Sequence, residues 1–91
     1  MISIRWTAEG SDPFVSAIEH IREENPSAAQ RVAEAILKRV DSLKSFPGIG
    51  RPGEAMGTRE LVCPPYIVVY RANPEVVEIL YFWHGSQDWR F

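Results

Sequence analysis

One histidine stands where a strand-like run gives way to a short polar segment, in YFWHGSQDWRF, residues 81–91. An imidazole titrates near neutrality, so His84 can serve as a general acid or base; it can equally end the strand on a backbone carbonyl. Two arginines lie on the preceding strand-like runs. Arg71 follows Val69 at alternate spacing and either faces an open site or pairs across strands with Glu78 or Glu60. Arg59, directly before Glu60, carries the same two readings. Arg51, inside a glycine-rich loop, reads as a helix-end or partner contact rather than a reacting group. Cys63 is the only cysteine, which excludes an internal disulfide and a thiolate zinc site. With no base signalled beside it, Cys63 reads as a small buried hydrophobe. No cofactor or metal is called for.

These residues need elements to hold them. MISIRW alternates Ile2, Ile4 and Trp6 with Ser3 and Arg5, the period of a first strand. TAEGSD, residues 7–12, reads as a turn, with Asp12 as an N-cap and Pro13 at the first helical position. Phe14, Ala17, Ile18 and Ile21 then form one apolar helix face, and the helix stops by Asn25 because Pro26 follows. Asn25-Pro26 repeats the capping device for a second helix. Its apolar stripe is Ala29, Val32, Ala33, Ile36, Val40 and Leu43. A single proline between the helices makes them a hairpin.

FPGIGRPGEAMG, residues 46–57, holds four glycines and two prolines and must be a loop. Strands follow at Thr58–Cys63, Tyr66–Ala72 and Val76–His84. Asn73-Pro74-Glu75 is a short hairpin connection, and Pro64-Pro65 is expected to kink the chain between the first two. The fold class is α+β: an N-terminal strand, a helix hairpin, then a three-stranded antiparallel meander, giving a four-stranded sheet with helices on one face. The 91 residues make one domain. On the last strand, Val77, Ile79, Tyr81 and Trp83 are expected to face the core. Leu80 and Phe82 would then lie near solvent beside Tyr66, Val68 and Tyr70, as an apolar partner surface or beneath the tail carrying Trp89 and Phe91.

Composition narrows the classes of function. Charged residues are 24% and the apolar set 45%, ordinary for a globular chain. Arg5, Glu9 and Asp12 break up the N-terminus before any leader-like apolar run forms, and no run is long enough to span a bilayer. A cytoplasmic protein is expected. Ten basic residues oppose twelve acidic ones, distributed evenly, so independent nucleic-acid binding is not expected.

TRELVCPPYIVVYRANPEVVEILYFWHGSQDW, residues 58–89, resembles the C-terminal half of the RelE/ParE superfamily of bacterial type II toxins. IRW, ENPSAAQRVAEAIL and FPGIGRPG are similar to its first half, so the resemblance spans nearly the whole chain. It implies a toxin silenced by a cognate antitoxin that folds onto an apolar surface of the toxin. Arg51, Tyr66, Tyr70, Leu80, Phe82 and Trp89 are the residues expected to meet that antitoxin.

The superfamily implies two activities. RelE-like members cleave mRNA on the ribosome, which requires activating a 2′-hydroxyl, neutralising the developing phosphorane and protonating the leaving oxygen. Arg59, Arg71 and His84 would serve here, with Glu60 and Asp88 nearby. ParE-like members poison DNA gyrase without such residues. Nuclease members commonly carry an arginine after the residue that opens the middle strand, where this chain has Ile67 after Tyr66. They also commonly keep a basic residue just after the last strand, where this chain has Gln87. Losing two such cations would cost on the order of several kcal/mol of transition-state binding. The ParE-like reading is therefore favoured. The nuclease, and a degenerate antitoxin-binding module without toxicity, are the alternatives.

Overall fold

The computed structural model describes residues 2–85. In chain order it runs β1 (Ser3–Trp6), α1 (Ala8–Glu24), α2 (Pro26–Asp41), a 3₁₀ turn (Ser42–Lys44), β2 (Arg51–Pro52), β3 (Arg59–Cys63), β4 (Tyr66–Ala72) and β5 (Val76–His84). The strands form one sheet in the order β1-β5-β4-β3-β2, with β1 parallel to β5 and every other pair antiparallel. The α+β class and the helix hairpin match expectation. The sheet has five strands rather than four, because Arg51–Pro52 pairs with Glu60 and Arg59 inside the glycine loop. Two residues are too few to leave a period in the sequence.

The first helix begins earlier than its Asp-Pro signal suggests. Thr7 is the N-cap: its hydroxyl accepts from the Gly10 N–H at 3.2 Å and donates to the Ile79 carbonyl at 2.8 Å. Pro13 therefore sits inside α1, at the cost of one helical hydrogen bond. Gly10 permits the arrangement, since a Cβ there would lie 2.7 Å from the Ile79 carbonyl oxygen. Helix α1 thus starts directly against β5. The second helix follows its signal: Asn25 Oδ1 accepts from the Ala28 N–H at 3.1 Å, and Pro26 opens the first turn.

The β3–β4 link also differs from expectation. Cys63 pairs with Tyr66 and Val62 with Ile67, so the ladder continues to a tight two-residue turn, with a cis bond at Pro64-Pro65. The prolines turn the chain without interrupting the pairing.

The largest correction concerns the two faces of β5. Val69 pairs with Tyr81 but Tyr70 pairs with Ile79, so Leu80 is an extra residue and the alternation inverts there. Val77 and Ile79 face the helices as expected. Beyond the bulge it is Phe82, 4% exposed, that enters the core, while Tyr81 is 44% exposed. Trp83, expected in the core, is half-buried and stacks on Tyr81 with centroids 5.6 Å apart. Tyr66, Val68 and Tyr70, expected near solvent, are buried with Phe82, Ile36, Val40 and Leu43 in the main cluster. Leu80 is half-buried. The helices cover one face of the sheet. The opposite face carries Glu60, Val62, Ile67, Val69, Tyr81 and Trp83, by the register of β3, β4 and β5.

Candidate functional site

The glycine loop is latched to the sheet at several points. Tyr70, fully buried on β4, donates its hydroxyl to the Pro47 carbonyl at 2.7 Å and accepts from the Gly50 N–H at 2.9 Å. Arg59 donates to the Gly50 carbonyl at 2.9 Å. Gly50 is required by this approach, because a Cβ there would fall 2.7 Å from the Tyr70 ring. Arg51 pairs with Glu60, Nε to Oε1 at 2.8 Å, and the Glu60 side chain is only 1% exposed. A carboxylate this deep is tolerable when a guanidinium and hydrogen bonds accompany it. The loop is thus fixed, and it presents Phe46, Ile49 and Met56 outward.

Arg71 lies one residue past Tyr70, on the opposite face, directly across from Glu78. Glu78 is ion-paired with Arg5, and Glu60 with Arg51, so both carboxylates expected as partners of Arg71 engage other arginines. A Cβ on Gly57 would lie 3.7 Å from Arg71 Nε, which puts this side chain beside the end of the loop.

His84 sits at the far end of the sheet. It pairs with Tyr66, their rings meet edge to face at 5.4 Å, and the side chain is exposed. The next residue, Gly85, donates its N–H to the Pro65 carbonyl at 2.6 Å, fixing the end of β5 to the β3–β4 turn. Arg59 pairs with Tyr70 and His84 with Tyr66, four residues apart on β4, which is about 13 Å along a strand. Arg71 is farther still and faces the other way. The three residues considered for nuclease chemistry are therefore not brought together.

His84 instead borders a cleft of about 390 Å³ with His20 of α1, above Tyr66 and Phe82. Sequence reasoning missed His20. It lies on a polar helix face, and no local pattern links it to a strand end so distant in the chain. The latching role of Tyr70 was missed for the same reason.

Of the residues expected to meet a partner, Arg51 is half-exposed on its ion pair, Leu80 is half-buried, and Tyr66, Tyr70 and Phe82 are interior. Trp89, with Phe91, Gln87 and Asp88, lies outside the described residues. Cys63 is buried as expected, at a small apolar cavity of about 220 Å³ shared with Arg39, Ile36 and Pro65. Burial pushes its thiol pKa up, and the Arg39 guanidinium acts in the opposite direction. Among the described residues no three His, Cys, Asp or Glu side chains are grouped to hold a metal ion, and no helix is long and apolar enough to cross a membrane.

Comparison with known proteins agrees with this architecture. A family model described as the ParE toxin of the type II toxin–antitoxin system parDE matches residues 4–89. The Y4kP protein of Sinorhizobium fredii (strain NGR234) is 41% identical over 88 residues, covering 94% of this chain and 91% of that protein. Toxin RelE2 of Caulobacter vibrioides is 29% identical over 87 residues, covering 96% and 99% respectively. A solved chain from the chromosomal ParDE system of P. aeruginosa superposes with a TM-score of 0.80 at 25% identity, over 92% of this chain and 96% of that one. With the family model spanning nearly every residue and the fold shared, the chain belongs to the ParE toxin family of type II toxin–antitoxin systems.

Proposed function

We infer that this toxin acts in the cytoplasm by inhibiting DNA gyrase, without cutting RNA, and that a cognate antitoxin holds it silent. The observation that carries the reading is the dispersal of Arg59, Arg71 and His84 over two sheet faces and about 13 Å of strand. Cleavage at a 2′-hydroxyl needs a proton acceptor, a proton donor and a cation around one phosphate. Here Arg59 is committed to the Gly50 carbonyl and Arg71 points away from the cleft that His84 borders. An inhibitor acting through its surface needs no such convergence, and the rigid loop carrying Phe46, Ile49 and Met56 offers one. The antitoxin contacts are proposed at Arg51 and the half-buried Leu80, the described members of the expected set that are not interior.

The nuclease reading retains one supporting observation, the likeness to a protein named RelE2. Primer extension on RNA from cells in which the toxin is induced separates the two. Growth arrest with intact codons in translated messages is expected. Cuts spaced by codon and dependent on ribosomes would overturn the proposal.

A further inference from the structure

The sheet face opposite the helices holds buried side chains, although no described element lies across it. Val69 is 4% exposed and Ile67 8%, both in the middle of β4. Glu60, paired with Val69 from β3, is buried, and so is the indole nitrogen of Trp83, paired with Ile67 from β5. The remaining members of the same two rows, Tyr81 and Val62, are exposed. The covered positions therefore trace a diagonal, Trp83–Ile67–Val69–Glu60, with an open position on either side.

Side chains stand roughly perpendicular to a sheet, so neighbours in the plane shield their flanks and leave their tips to whatever lies above. Near-complete burial at Val69 and Ile67 thus calls for a layer over them. A helix, about 10–12 Å across, would cover Tyr81 and Val62 as well. A diagonal one side chain wide fits a single extended stretch of chain. These exposures are those of the single chain, so the stretch belongs to it. Helices α1 and α2 pack on the other face with Tyr70, through which the glycine loop is latched. Arg51 reaches Glu60 only from the edge strand. Met1 belongs to the far end of the sheet, because Ser3 pairs with Val76, at the start of β5. Residues 86–91, SQDWRF, remain.

Their starting point and length agree with this path. The Gly85 N–H is bonded to the Pro65 carbonyl, which sets the start of the segment two residues past Trp83, at the near end of the diagonal. The level of Val69 lies about 13 Å back along β5, and β3 lies two strand spacings to the side, which puts Glu60 about 16 Å away. Six extended residues reach about 20 Å. Trp89 and Phe91 stand at alternate positions, so an extended segment turns both toward the sheet, and Arg90 between them supplies a cation at the Glu60 end.

We propose that residues 86–91 fold back across this face as an intramolecular strap, with Trp89 and Phe91 on Ile67 and Val69 and Arg90 beside Glu60. The chain itself takes the apolar centre of the face, and Trp89 completes the packing instead of standing free for a partner. The inference does not depend on the toxin's target.

The test is nuclear Overhauser spectroscopy of the full-length protein with its Ile and Val methyl groups labelled. Contacts from the Trp89 and Phe91 rings to the Ile67 and Val69 methyls, unchanged on dilution, are expected. Trp89→Ala should abolish the Trp89 contacts, lower the urea midpoint and increase binding of an apolar dye, since it uncovers the centre of the face. Should that variant not fold, the contacts in the unaltered protein decide alone. Their absence would overturn the proposal. Contacts seen only between labelled and unlabelled chains in a mixed sample would overturn it too, by assigning the cover to a second copy. A folded Trp89→Ala protein with unchanged midpoint and dye binding would also contradict the strap.

Discussion

Tyr70 shows how one side chain can be both core and anchor. Its ring lies in the main apolar cluster while its hydroxyl joins the Pro47 carbonyl and the Gly50 N–H. Tyr70→Phe keeps the ring and removes that shared partner, so a loss of about 1–3 kcal/mol is expected in urea unfolding. Cys63 makes a second test at this scale. Its folded thiol pKa is raised by burial, so as pH rises the unfolded chain releases this proton first. The contribution of Cys63 to stability is therefore full below the ordinary thiol range, about 8.5, and declines above it. A thiol reagent at pH 8 should modify native protein far more slowly than unfolded protein. Equal rates would contradict the burial of Cys63.

At the scale of elements, the bulge at Leu80 governs which aromatics are structural. Phe82→Ala should cost about 3–5 kcal/mol, because it empties a core position between Phe14 and Tyr66. Tyr81→Ala, on the exposed side, should cost less than about 1 kcal/mol. Thermal unfolding of the two variants measures the difference, and a reversed order would mean the register is regular through Leu80. The same bulge explains where sequence reading stopped. The bounds of β4 and β5 and the cap of α2 were legible, since each rests on local alternation or an Asn-Pro pair. The face of Phe82 was not, because one extra residue inverts a period of two and leaves no mark in the pattern. The start of α1 was misread because Thr7 and Gly10 make sense only against Ile79, on a strand distant in sequence.

For the whole molecule, the arrangement of charge and surface matters more than any single group. The acidic helix α1 packs on β5, whereas Arg51 and Arg59 cluster with the latched loop. Family membership was legible in the sequence, through the FP-x-x-GRPG loop, the RELV-x-PPY segment and the HG-x-x-DW ending taken together. The spatial separation of Arg59, Arg71 and His84 was not, since it depends on the register of three strands. Under the proposed function, that separation makes the target a question of surface recognition. Gyrase supercoiling of relaxed plasmid in the presence of purified toxin tests this most directly. Inhibition that rises with toxin concentration and is reversed by the cognate antitoxin is the predicted result. Undiminished supercoiling at a large excess of folded toxin would contradict it.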